Sequence, residues 1–95
     1  MERKIVHVVG TGTIGEPLIG ILCEQKSNLG IDEVTFHKQT PLTKDAPKIK
    51  NLIAKGARLS VHEDRVESFK EIGLEPEFTM EEAVSRSSVV IDCTP

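Results

Sequence analysis

Gly10-Thr11-Gly12-Thr13-Ile14-Gly15 has the spacing G-x-G-x-x-G, and its setting constrains this chain more than any other feature. Before it, Lys4 to Val9 is a short run rich in β-branched side chains that reads as a buried parallel strand. After it, from Thr13, the apolar residues Ile14, Leu18, Ile21, Leu22 and Cys23 recur at helical spacing, with Pro17 in the first turn where its missing N–H costs little. Between a strand and a helix each glycine has a physical task. Gly10 permits the tight turn, Gly12 leaves room for a pyrophosphate against the backbone, and Gly15 lets helix and strand pack closely. The N–H groups opening the helix face the anion and the helix dipole favours its charge, with the hydroxyls of Thr11 and Thr13 as further donors. A glycine triplet alone also occurs in ordinary strand-to-helix turns, and it is the flanking pattern that points to a dinucleotide.

The remaining chain repeats the alternation. The first helix ends near Ser27-Asn28 and Gly30, and Ile31 to Phe36 makes a second strand. A helix from about Asp45 to Lys55 has Pro47 near its start, Ile49, Leu52 and Ile53 on one face, and Gly56 just beyond its end. Arg58 to His62 alternates as a short third strand, and Glu63 or Asp64 begins a helix carrying Val66, Phe69 and Ile72 up to Gly73. Thr79 before Met80-Glu81-Glu82 is a capping-box pattern for a helix to about Arg86, and Ser88 to Ile91 reads as a fourth buried strand. The order βαβαβαβ predicts an α/β fold, a Rossmann-type doubly wound parallel sheet. The sequence stops at Asp92-Cys93-Thr94-Pro95 directly after a strand. Residues 1–95 are therefore expected to be the amino-terminal part of a dinucleotide-binding domain, incomplete by itself, with the catalytic domain of a larger dehydrogenase absent.

A formal net charge of −3 supplies no basic field for nucleic acid, so no nucleic-acid partner is expected. No apolar run approaches the roughly 20 residues of a bilayer span, and no signal-peptide pattern opens the chain, so no membrane partner and a cytoplasmic location are expected. Cys23 and Cys93 lack metal-ligand spacing and read as reduced thiols; no metal site is expected.

The identity of the dinucleotide turns on the exit of the second strand, where an acidic residue ordinarily holds the ribose 2′-OH of NAD. His37-Lys38 stands there with no carboxylate, while Asp32 and Glu33 lie at the far end of the strand and read as surface residues. Lys38, with Gln39 and Thr40 beside it, suits a 2′-phosphate, against the plainer reading of a solvated loop lysine. His37 is a candidate adenosine contact, although a histidine near a strand end is more often structural. Cys93 stands where strand carboxyl ends line the crevice; an inert thiol is the better reading than a nucleophile. Glu81-Glu82 reads as a dipole-complementing pair at a helix start rather than as an acid and base.

The glycine motif near the amino terminus, the Lys38-Gln39-Thr40-Pro41 loop and the closing Val89-Val90-Ile91-Asp92-Cys93-Thr94-Pro95 together resemble the amino-terminal part of archaeal-type glyceraldehyde-3-phosphate dehydrogenases. The resemblance implies NAD or NADP as cofactor, a homo-oligomer, by family a tetramer, and oxidation of glyceraldehyde 3-phosphate through a cysteine thioester formed by residues beyond Pro95. It places Gly12, Thr13 and Ile14 along the pyrophosphate, Lys38 and Thr40 by the adenosine ribose, and Thr94 and Pro95, next to Cys93, near the cofactor. The family's Thr-Lys-Thr before the loop proline is replaced here by His37-Lys38-Gln39-Thr40, so the choice between NAD and NADP stays open. Homoserine dehydrogenase, aspartate-semialdehyde dehydrogenase and dihydrodipicolinate reductase begin with a similar domain, and a dinucleotide-sensing module or a methyl-donor-binding domain are rivals of other classes. Because neither cysteine inherits the nucleophile's role, the purified 95-residue chain is expected to show no NAD(P)-dependent aldehyde oxidation. A turnover assay checks this, and measurable cofactor reduction contradicts it.

Overall fold

The computed structural model describes residues 3–11 and 15–93. Five strands form one parallel sheet: β1 (Ile5–Val9), β2 (Glu33–His37), β3 (Arg58–Val61), β4 (Phe78–Thr79) and β5 (Val89–Asp92). The helices between them are α1 (Gly15–Glu24), α2 (Lys26–Leu29), α3 (Ala46–Ala54), α4 (Val66–Glu71) and α5 (Met80–Arg86), with 3-10 turns over Thr43–Asp45 and Glu63–Arg65. Across the sheet the order is β4-β3-β2-β1-β5. The chain thus builds outward from β1 to β4 and then returns to set β5 on the opposite side of β1. This is the 3-2-1-4 half of a Rossmann-type sheet with a two-residue strand added at its outer edge.

The expected fold class is therefore observed, with four differences in detail. The last strand, expected to be buried, is largely exposed, Val89 by 43% and Val90 by 48%, because β5 is an edge strand of the sheet. There are five strands where four are expected, because Phe78–Thr79 is too short to show any period. The second strand runs Glu33–His37 instead of Ile31–Phe36: the Ile31 N–H closes the preceding turn on the Lys26 carbonyl at 2.9 Å, and Asp32 accepts from the Lys4 N–H at 2.6 Å. The first helix is broken at Gln25 into α1 and α2, and α2 ends at Gly30 in the left-handed region (φ 68°). The capping box at Thr79 and Glu82 forms as expected.

The strands alternate, and parallel register carries the alternation across the sheet. Val6 and Val8, Val34 and Phe36, and Leu59 and Val61 share one face, where they join Ile19 and Leu22 of α1, Ile49 and Leu52 of α3, and Phe69 of α4 in the apolar core. The opposite face carries His7, Glu33, Thr35, His37 and Ser60, all buried. His7 and Thr35 share a hydrogen bond of 2.6 Å, and His37 and Ser60 one of 3.2 Å. Glu33, expected at the surface, is only 4% exposed. Starting β2 on this polar face, it draws in Arg58 and Arg86, each at 2.6 Å, and Arg3 at 3.4 Å. Three guanidinium groups around one carboxylate offset the cost of burying it. Arg86 also lies 4.1 Å over the Phe78 ring, tying α5 to the outer edge of the sheet.

His7 is fully buried, its Nε2 has no hydrogen-bond partner among the described residues, and burial, followed by the neighbouring His37, lowers its pKa from 6.5 to about 4. The unfolded chain thus binds a proton that the folded chain refuses. The stability linked to His7 is full above pH 6.5 and is lost as pH falls through about 4, by up to about 3 kcal/mol. Urea unfolding followed between pH 7 and pH 4 is expected to show this decline, and His7→Gln to flatten it.

Candidate functional site

At the carboxyl end of β1 the chain reaches Gly10 with φ 103°, a conformation that favours glycine. The Gly10 N–H donates to the His37 carbonyl at 3.3 Å, and on the other side the Cys93 N–H donates to the Val9 carbonyl at 2.8 Å. The exits of β2, β1 and β5 are in this way held side by side. Thr11 is buried beside them. Gly12, Thr13 and Ile14, and likewise Thr94 and Pro95, lie outside the described residues.

Gly15 opens α1 directly against the turn. A Cβ added there would stand 2.8 Å from the Gly10 carbonyl carbon and closer still to its oxygen, and 3.6 Å from the Cys93 Cβ. The start of the helix is thus in backbone contact with the end of the strand, as the third glycine of the motif requires. The place matters because β2 and β5 leave β1 in opposite directions. A reversal of strand order opens a crevice beyond the carboxyl ends, which is where ligands bind in open α/β sheets.

On the β2 side, His37 is buried and bonded to Ser60, and burial, with His62 adding to it, lowers its pKa and favours the neutral ring. Lys38 does not stand free. The structure supplies the carboxylate that the local sequence lacks: Lys38 Nζ lies 3.0 Å from Asp45 Oδ2, with both side chains about 15% exposed. The hydrogen bond from Lys38 holds the Asp45 carboxyl below its ordinary range. Thr40 is exposed in the same loop.

Sequence reasoning missed the residues just beyond β3. A cavity of about 410 Å³ lies over the exits of β1, β2 and β3, lined by Val9, His37, Gln39, His62, Asp64, Arg65 and Met80. Arg65 is exposed, and its Nη1 donates to the Gln39 carbonyl at 3.4 Å. The signal that could have found it is the one that singles out the exit of β2: a basic residue shortly after a strand's carboxyl end. His62 caps the turn after β3 by accepting from the Asp64 N–H at 3.3 Å. Among the described residues no cluster of His, Cys, Asp and Glu suited to a metal is present, and no helix is long and apolar enough to cross a membrane.

Sheet order, glycine turn and helix start define an α/β domain of Rossmann type. The chain is similar over nearly all its length to glyceraldehyde-3-phosphate dehydrogenases. It is 35% identical over 92 residues to that of Pyrobaculum arsenaticum, 34% over 90 residues to that of Pyrobaculum calidifontis, and 30% over 97 aligned positions to that of Methanococcoides burtonii. These alignments cover 95%, 95% and 100% of this chain but 24%, 24% and 26% of the relatives, so it spans about a quarter of their length. No family model matches the chain, and no solved structure matches it significantly.

Gly15→Ala is expected to destabilise the fold by about 1–3 kcal/mol, since the methyl group must push α1 off the Gly10 carbonyl. Gly20→Ala, in the same helix, meets only the Lys55 ammonium at 3.5 Å and is expected to be neutral or stabilising by about 0.5–1 kcal/mol. Paired urea titrations check the contrast.

Proposed function

We propose that this chain is the NAD(P)-binding portion of a glyceraldehyde-3-phosphate dehydrogenase. The observation that carries the reading is the backbone contact of Gly15 with Gly10 at the point where the strand order reverses. Gly10, Thr11, Gly12, Thr13 and Ile14 would cradle the pyrophosphate with backbone N–H groups and hydroxyls. His37, Lys38 and Thr40 would line the adenosine ribose, and Cys93, Thr94 and Pro95 the wall formed by the exit of β5. The nicotinamide dinucleotide bound there supplies the hydride acceptor for aldehyde oxidation.

This chain's own contribution is to hold and orient. His37 stays neutral, so it offers no cation of its own to the ribose. Cys23 is buried and its thiol is pushed up by that burial, which suits an inert core residue. The nucleophile and its base, the substrate pocket and the surfaces of a homo-oligomer belong, in this reading, to a catalytic domain outside residues 1–95. A cytoplasmic enzyme without nucleic-acid or membrane partners is part of the same proposal.

Calorimetric titration of NAD⁺ and NADP⁺ into the protein at its natural length tests it. At least one is expected to bind, and Gly12→Val is expected to abolish binding with little change in the circular dichroism spectrum. Unchanged affinity in Gly12→Val would remove the glycine loop from the site. Binding of S-adenosylmethionine in place of either dinucleotide would move the chain to the methyl-donor class.

A further inference from the structure

Building on the dinucleotide reading, we infer that Arg65, reaching from the exit of β3 to the loop after β2, is the residue that selects a 2′-phosphate on the adenosine ribose, in place of Lys38. In a Rossmann-type site the substituent at the ribose 2′ position lies against the exit of the second strand. Two cations stand near that exit, and their surroundings differ. Lys38 is 16% exposed and is held 3.0 Å from Asp45, so turning it to a phosphate breaks a half-buried ion pair and leaves the Asp45 carboxylate beside the new anion. Arg65 is exposed on the wall of the 410 Å³ cavity, and its hydrogen-bond partner is a neutral one, the Gln39 carbonyl at 3.4 Å. Among the described residues no carboxylate lies within ion-pair distance of it.

That contact sets the guanidinium alongside residue 39, one position beyond Lys38, without using most of its five N–H donors. A planar fork pairs with two phosphate oxygens at once, which an ammonium does not. The other charged groups on the same wall do not offset this. Asp64 is 80% exposed and lies 3.5 Å from His62 Nδ1, so it is turned toward the imidazole and solvent; His37 and His62 are the remaining titratable groups. The carboxylate nearest the exit of β2, that of Asp45, is engaged by Lys38 in place of a free 2′-OH, which leaves Arg65 to decide between the two cofactors.

The test titrates NADP⁺ and NAD⁺ into wild type, Arg65→Ala, Arg65→Lys and Lys38→Ala, each at natural length, with circular dichroism confirming the fold. Arg65→Ala is expected to weaken NADP⁺ by roughly tenfold or more and NAD⁺ by less than about twofold. Arg65→Lys should recover part of the NADP⁺ affinity, and Lys38→Ala should weaken both cofactors alike. The minimal probes 2′,5′-ADP and 5′-AMP should repeat the contrast. Equal weakening of both cofactors by Arg65→Ala, or selective loss of NADP⁺ in Lys38→Ala alone, overturns the inference while leaving dinucleotide binding intact. If wild type binds neither cofactor, the dinucleotide reading falls and the inference falls with it.

Discussion

Gly15 rests on the carbonyl of Gly10 with no room for a side chain between them, and much of the fold depends on that contact. It sets the start of α1 against the end of β1. The helix then runs back along the sheet so that Ile19 and Leu22 reach the apolar face carrying Val8, Val34 and Phe36. A methyl group at this point would have to lift the helix, loosening the core and the candidate site together. Packing and site geometry are here consequences of a single missing Cβ.

The sheet has an apolar face and a buried polar face, and β2 shows how the second is used. Glu33 begins the strand and His37 ends it, on the same side and about 13 Å apart. At the first end three arginines gather on a carboxylate, which holds β2, β3 and α5 together. At the other, His37 and Ser60 form a neutral pair beneath the cavity, and the cations stand in the loops beyond. The strand separates an ion cluster at its amino end from the cavity at its carboxyl end. His7, between them and without a partner for Nε2 among the described residues, ties this face to pH.

The features legible in the sequence are local. The glycine spacing, the Thr79 capping box, Pro47 near a helix start and the β-branched runs each act within a few residues; the capping box, the helix start and the strand form as read. The features that escape it depend on distant residues meeting. Glu33 reads as a surface residue because Arg3, Arg58 and Arg86 are far from it along the chain. Lys38 reads as lacking a carboxylate neighbour because Asp45 is seven positions on, across a turn. Phe78–Thr79 has too few residues for a period, and the cavity beside Arg65 exists only once three strand exits are aligned. The alternation in Ile-Val-His-Val-Val and Glu-Val-Thr-Phe-His does carry the two-faced sheet, but a run dense in β-branched residues reads as apolar throughout.

The proposed function puts a dinucleotide across the carboxyl ends of β1, β2 and β5. Amide chemical shifts in ¹⁵N-labelled protein at natural length, measured while NADP⁺ or NAD⁺ is added, test it most directly. Saturable shifts are expected at Gly10, Thr11, Gly15, His37 and Cys93, with Ile5, Glu33 and Ser88 at the opposite end of the sheet unmoved. Shifts confined to that opposite end, or none at the glycine turn at saturating cofactor, would contradict it.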